Sequence, residues 1–261
     1  MKSFAIPPPQ KSYLLSKRVT MICLIFSDLH SNLEALEAFQ EKITAINHDV
    51  KVCLGDTIGY GADPNACAEW VRENSDMVLA GNHDYAAVGK TDITYFNPYA
   101  MQACLWTRNQ LTAANHEYFC SLPVEQEKYG IRWAHSSPFE PDQWHYVTST
   151  QDAGQFEHFS EPVCFLGHTH LPHILELAPE GTVKEYSVSH MTLKPGCRYI
   201  VNVGSLGQPR DRDPNPAFVV YDTSLGTVEY YRFSYNIPLA QEKIRQQGLP
   251  SFLADRLQSG V

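Results

Sequence analysis

Residues 20–46 read TMICLIFSDLHSNLEALEAFQEKITAI. Thr20 to Ser27 is a β-branched and apolar run, which predicts a buried strand. From Asn32 the period changes. Leu33, Leu36, Phe39, Ile43 and Ile46 follow steps of three and four, the apolar stripe of a helix. The same alternation continues downstream, with Val50 to Leu54 a second strand, Pro64 to Asn74 a helix opened by proline, and Met77 to Ala80 a third strand. Strand, helix, strand, helix, strand predicts parallel strands joined by crossovers. The fold class is therefore α/β.

Beyond this frame a long helical stretch is expected from Pro98 to about Cys120. The second half is dominated by strand candidates joined mostly by short turns. They are Ile131 to Ala134, Val163 to Leu166, Ile174 to Leu177, Val183 to Tyr186, Tyr199 to Val203, Ala217 to Tyr221 and Thr227 to Phe233. Ile237 to Gln247 and Ser251 to Gln258 close the chain as helices. No internal repeat or linker interrupts it, so residues 21–261 are expected to form a single domain. Residues 1–20, with Pro7, Pro8 and Pro9, have no apolar signal-like core and read as a loose extension.

The 261 residues carry a formal net charge of −9. No global positive field would gather nucleic acid or anionic lipid. No run approaches the ~20 apolar residues that span a bilayer. Seven cysteines are scattered with no C-x-x-C spacing. Cys23, Cys53 and Cys164 fall in apolar runs where a thiol acts as a small hydrophobe. A reducing, cytoplasmic setting is the expectation.

Five short motifs fall at or just beyond strand ends: Asp28-Leu-His30, Gly55-Asp56, Gly81-Asn82-His83-Asp84, Ala134-His135 and Gly167-His168-Thr-His170. In open α/β sheets ligands bind in the crevice at the carboxyl ends of strands. Asp56 follows Asp28 by 28 residues and Asn82 follows Asp56 by 26, each one strand–helix unit. Such steps return the chain to the same sheet edge. The oxygen donors Asp28, Asp56 and Asn82 would thus meet the imidazoles of His30, His135, His168 and His170. Oxygen and nitrogen donors without thiolate suit Mn, Fe, Co, Ni or Zn. The set exceeds what one tetrahedral ion needs and suits two divalent transition-metal ions sharing a carboxylate.

In this order the motifs resemble the calcineurin-like metallophosphoesterase superfamily. Gly55 to Asn65, Phe96-Asn-Pro98, Trp106-Thr-Arg108 and Asn202 to Arg210 further resemble a bacterial branch of small phosphodiesterases related to diadenosine tetraphosphatases. The resemblance runs from about Met21 to Gly260. It implies a four-layer αββα sandwich. It also implies one metal on Asp28, His30, Asp56 and His170, and a second on Asp56, Asn82, His135 and His168. Asp56 would bridge the two, and His83 would be the non-ligand histidine beside the scissile ester. Protein serine/threonine phosphatases carry Asp-Arg where this chain has Gly59 and Tyr60, so that resemblance breaks there.

The chemistry implied is hydrolysis of phosphodiester or phosphoanhydride bonds of a small phosphorylated substrate, nucleotides included. A hydroxide bridging the metals would attack phosphorus, Asn82 would help stabilise the equatorial oxygens, and His83 would act as general acid. A phosphomonoesterase or a metal-bound non-catalytic scaffold is the alternative. Some residues stay open at this level. His83 could instead be a helix-capping histidine, and Asp84 could orient it or merely shape a turn. Asn32 and Tyr60 could line the substrate cleft, or cap and pack. Arg210 suits a substrate phosphate bidentately but could equally pair with Asp211 or Asp213. His173 is the one further histidine close to the motifs.

Overall fold

A computed structural model describes residues 20–261; the expected loose extension lies outside the described residues, Thr20 excepted. In chain order the strands are β1 (Ile22–Phe26), β2 (Val50–Cys53), β3 (Met77–Val78), β4 (Glu125–Lys128), β5 (Ile131–Ala134) and β6 (Val163–Leu166). They continue as β7 (His173–Leu177), β8 (Val183–Tyr186), β9 (His190–Thr192), β10 (Arg198–Asn202), β11 (Ala217–Asp222) and β12 (Thr227–Arg232). The helices are α1 (Leu33–Ile43), α2 (Pro64–Asn74), α3 (Asn82–Ala87), α4 (Pro98–Gln110), α5 (Ala113–Ser121), α6 (Ile237–Gln246) and α7 (Ser251–Ser259).

The strands form two six-stranded sheets, ordered β3-β2-β1-β11-β12-β9 and β4-β5-β6-β10-β7-β8. In the first sheet β1, β2 and β3 are parallel, and in the second β5, β6 and β10 are parallel. The remaining pairings are antiparallel. Side chains alternate across each strand. Cys23 and Ile25 of β1 point between the sheets, where they join Val52, Trp133, Phe165, Val201 and Val219 in one core. Leu24 and Phe26 point the other way, against Leu36, Phe39 and Val71 of α1 and α2. Two sheets face to face with helices outside are the layered sandwich that the resemblance implies. Its layer over the second sheet is thin: Leu166, Leu175 and Ile200 are covered by Val147, Phe156 and Phe159, and the covering segment Thr150–His158 is 3₁₀-helical.

Three local expectations change. The helical stretch from Pro98 breaks into α4 and α5 because Leu111 is extended and the Thr112 side chain caps a new helix by accepting from the Asn115 amide. Strand β4 (EQEK) is a polar edge strand without apolar alternation, and β9 is a three-residue edge strand, so neither carries a periodic signal. Helix α3 starts within the Asn82-His83 motif itself.

The parallel strands determine where the motifs meet. Asp28, Asp56 and Asn82 follow β1, β2 and β3, while His135 and His168 follow β5 and β6. The two sheets approach closely at this edge: a Cβ on Gly167 would sit 2.0 Å from Ser27 Oγ and 2.5 Å from Asp28 Oδ2. Glycine is needed there for space.

Candidate metal centre

The loops bearing the motifs are braided by backbone hydrogen bonds. The Asp28 amide donates to Gly55 O (2.9 Å), His30 to Asp56 O (3.0 Å) and Ser31 to Thr57 O (3.0 Å). Asp28, His30, Asp56, His168 and His170 all adopt φ between 49° and 64°, a left-handed conformation uncommon outside glycine. Each such residue costs of order 1–3 kcal/mol, held in place by the surrounding structure. The strain aims their side chains inward from strand ends.

Two carboxylates are each held by one oxygen. The His168 amide donates to Asp28 Oδ2 (2.9 Å) and the His83 amide to Asp56 Oδ1 (2.8 Å). Their other oxygens face the same pocket. Asp28 Oδ1 lies 3.2 Å from His170 Nε2, and Asp56 Oδ2 lies 3.4 Å from His135 Nε2 and 3.6 Å from His30 Nε2. Gly81 makes this fit possible, since a Cβ there would fall 2.1 Å from Asp56 Oδ1.

The imidazoles are fixed from behind by backbone carbonyls. His30 Nδ1 meets Ile58 O (3.2 Å), His135 Nδ1 meets Leu54 O (2.9 Å), His170 Nδ1 meets Gln208 O (2.5 Å), and His168 Nε2 meets Trp144 O (3.0 Å). A carbonyl only accepts, so each of these nitrogens carries its proton. In the neutral ring the opposite nitrogen is then a bare lone pair. His30 Nε2 and His170 Nε2 stand 3.1 Å apart, two acceptors face to face. Asp28 Oδ1, Asn82 Oδ1 and His135 Nε2 are buried without any hydrogen-bond partner. Cations, one among Asp28, His30 and His170 and one beside His135 and Asn82, would satisfy these atoms, and carbonyl-held imidazoles are the usual outer support of metal ligands.

The titration behaviour says the same. Burial pushes the proton affinities of His30 and His170 down and takes His168 to about 3. His135 is the exception: burial opposes its charge, but the nearby Asp56 carboxylate lifts it to about 9.

The ligand atoms fall into two groups, Asp28–His30–Asp56–His170 and Asp56–His135–His168, each with its atoms within 4.8 Å of one another. Asp56 belongs to both. Each group has the donor chemistry to hold a divalent transition metal.

His83 follows Asn82 at the start of α3 and is 5% exposed. Its ring lies against His30, Tyr60 and Phe96. Burial lowers its pKa to about 4. Asp84 does not orient it: Oδ1 accepts from the Ile58 amide and Oδ2 from the Gly81 amide, so this carboxyl ties two loops together. Tyr60, at φ 60°, packs between His30 and His83, with Arg210 5.8 Å from its ring centre. Asn32 is committed to structure. Its Oδ1 caps α1 through the Ala35 amide, and its Nδ2 donates to Gly207 O and Tyr235 Oη.

Arg210 is not consumed by its acidic neighbours. Arg232 takes Asp211 and Asp213 instead, while Arg210 donates to Gln208 Oε1 (3.0 Å) and its Nε has no partner. Its amide donates to His170 O (3.3 Å), which places it beside the pocket, and its charge adds to burial in lowering the pKa of His83 and His170. His173 lies in β7, with Nδ1 on Leu171 O, outside both groups.

Sequence reading missed the supports. Trp144 O, Gln208 O, Ile58 O and Leu54 O act through the main chain, which leaves no trace in residue identity. It also missed Tyr146, which is 58% exposed and lies 4.2 Å from the His168 ring.

Known proteins share this architecture. The model of the calcineurin-like phosphoesterase superfamily domain matches residues 21–226. An uncharacterized protein of Methanocaldococcus jannaschii is 35% identical over 245 residues, covering 92% of this chain and 98% of that one. The crystal structure of a metallophosphoesterase from Sphaerobacter thermophilus is 36% identical with a TM-score of 0.81, covering 93% of this chain and 100% of the other. A putative diadenosine tetraphosphatase superposes with a TM-score of 0.52 over 84% of this chain and 96% of its own. At 14% identity that last likeness shows the fold alone.

Proposed function

The chain belongs to the calcineurin-like phosphoesterase superfamily, and from that premise we propose that it hydrolyses phosphodiester or phosphoanhydride bonds at a two-metal centre. The observation that carries this reading is the set of carbonyl-locked imidazoles whose bare nitrogens face unpartnered carboxylate and amide oxygens. Asp28, His30, Asp56 and His170 would hold one ion; Asp56, Asn82, His135 and His168 would hold the other. Two divalent cations, when bound, neutralise phosphate charge and make water nucleophilic near neutral pH.

The chain's own residues do the rest. Asp56 fixes the separation of the two groups because it serves both. Burial alone leaves the His83 ring neutral, so the anionic ester beside it is what raises its proton affinity in the complex and lets it protonate the leaving oxygen. Arg210 pairs with a non-bridging phosphate oxygen. Residues 21–261 act as one catalytic domain in this reading. Helices α6 and α7 lie beyond the family match, yet they pack against Tyr60 through Ala240, Ile244, Leu253 and Leu257. Lys243 further binds Glu34 and Asp63 (3.0 Å).

The substrate is small and phosphorylated, with nucleotides among the candidates. No helix among the described residues is long and apolar enough to cross a membrane. All seven cysteines are free, and burial pushes the Cys53 thiol to about 12. Thiols kept this way suit the cytoplasm.

Gly59 and Tyr60 support the diester reading. A dianionic monoester gains most from extra positive charge, and with neither position supplying it Arg210 is the cation left to meet the phosphate. Diesters and dinucleoside polyphosphates are therefore expected to be hydrolysed with higher kcat/KM than a phosphopeptide. A side-by-side comparison on the metal-loaded enzyme tests this, and a clear preference for the phosphopeptide would reverse the assignment to a phosphatase-like enzyme.

A further inference from the structure

His83 has no polar tether for its ring. Nδ1 is buried and unpartnered. Asp84, next in sequence, is occupied with two backbone amides. On the other side Gly59 sits at φ 94°, and a Cβ there would come within 2.9 Å of Nδ1. No side chain can stand between that backbone and the imidazole. What touches the ring is aromatic. The Tyr60 centroid is 4.3 Å away at 46°, the Phe96 centroid is 4.9 Å away at 45°, and the edge-on His30 ring is 5.0 Å away.

Phe96 is itself well anchored. Its amide donates to Ile93 O (3.0 Å), and the next residue, Asn97, caps α4 by accepting from the Ala100 amide (3.0 Å). Its ring joins Tyr60, Ala100, Ala103, Ile244 and Leu253 in one cluster. The main chain of His83 is fixed independently, by its amide on Asp56 Oδ1. Rotation about the side-chain bonds is then the freedom that remains, and the flanking rings restrict it.

The geometry points to Phe96 as a positioning residue for the reaction. With Tyr60 it packs a tilted ring against the His83 imidazole, a clamp that limits its rotation and leaves Nε2 for the leaving oxygen. The clamp performs by ring contact what a carboxylate hydrogen bond does for many catalytic histidines. This inference rests on the acid role of His83 given above. A ring that turns freely delivers its proton less often, so the loss appears in kcat and not in substrate binding.

The test is a double-substitution cycle on the metal-loaded enzyme with an alkyl phosphodiester. Phe96→Leu is expected to lower kcat about tenfold or more, with KM and metal content nearly unchanged. Phe96→Tyr keeps the ring and is expected to restore most of the rate. In a His83→Ala background Phe96→Leu is expected to cost nothing further, because nothing is left to position. Phe96→Met fills more of the same volume and replaces Phe96→Leu should that variant fold poorly. An equal loss with and without His83 would overturn the clamp, as would a loss carried by KM or by metal content. Full activity of His83→Ala alone would instead remove the acid role on which the clamp depends, and the clamp with it.

Discussion

His83→Ala is expected to retain its fold and its metals while losing roughly 10²–10⁴-fold in rate on esters with poor leaving groups. The expectation comes from placement. His83 adjoins ligand candidate Asn82, its ring lies 5.0 Å from the His30 ring, and Nδ1 has no partner. It belongs to neither group of candidate ligand atoms. A nitrophenolate leaves without help, so the loss on nitrophenyl esters should be much smaller. If His83 only stabilised charge on the transferring phosphoryl group, both substrate classes would suffer alike. The measurement is rate against leaving-group pKa for both proteins, with metal content checked in each. Parallel slopes would rule out the acid role.

Asp56→Asn is expected to lose metal as well as turnover. Asp56 Oδ1 is held by the His83 amide, and Oδ2 approaches both His135 and His30. An amide cannot serve both ends. With its NH₂ toward His83 it sets two donors against each other, and with its NH₂ inward it offers the ions no lone pair. Bound metal should fall below two per chain and turnover by at least ~10³-fold, since the activated water is lost with the ions. Metal analysis and steady-state rates on the purified variant report both quantities. Unchanged metal content with unchanged activity would show that Asp56 does not join the two groups.

Much of this site is legible in the sequence because its geometry follows from chain periodicity. A residue placed just after each parallel strand arrives at one edge, so the spacing from Asp28 to Asp56 to Asn82 is enough to bring them together. His135 and His168 follow the same rule from the second sheet. What is not legible is the support. The carbonyls behind His30, His135, His168 and His170 belong to the main chain, and any residue would provide them. Asn32 and Tyr60 show a different limit. Both flank motifs, yet capping of α1 absorbs Asn32, while the left-handed turn at Tyr60 carries its ring onto His83. The break between α4 and α5 escaped because a threonine N-cap inside a helical pattern is a local competition that tertiary packing decides.

The two-metal assignment is the centre of the account, and stepwise reconstitution reaches it most directly. The protein is stripped of metal, manganese is added in known equivalents, and bound metal and diester hydrolysis are followed together. The account predicts binding that saturates at about two ions per chain, with turnover rising mainly as the second ion binds. Full turnover with one ion or none, or no hydrolysis of any phosphate ester with two bound, would contradict it.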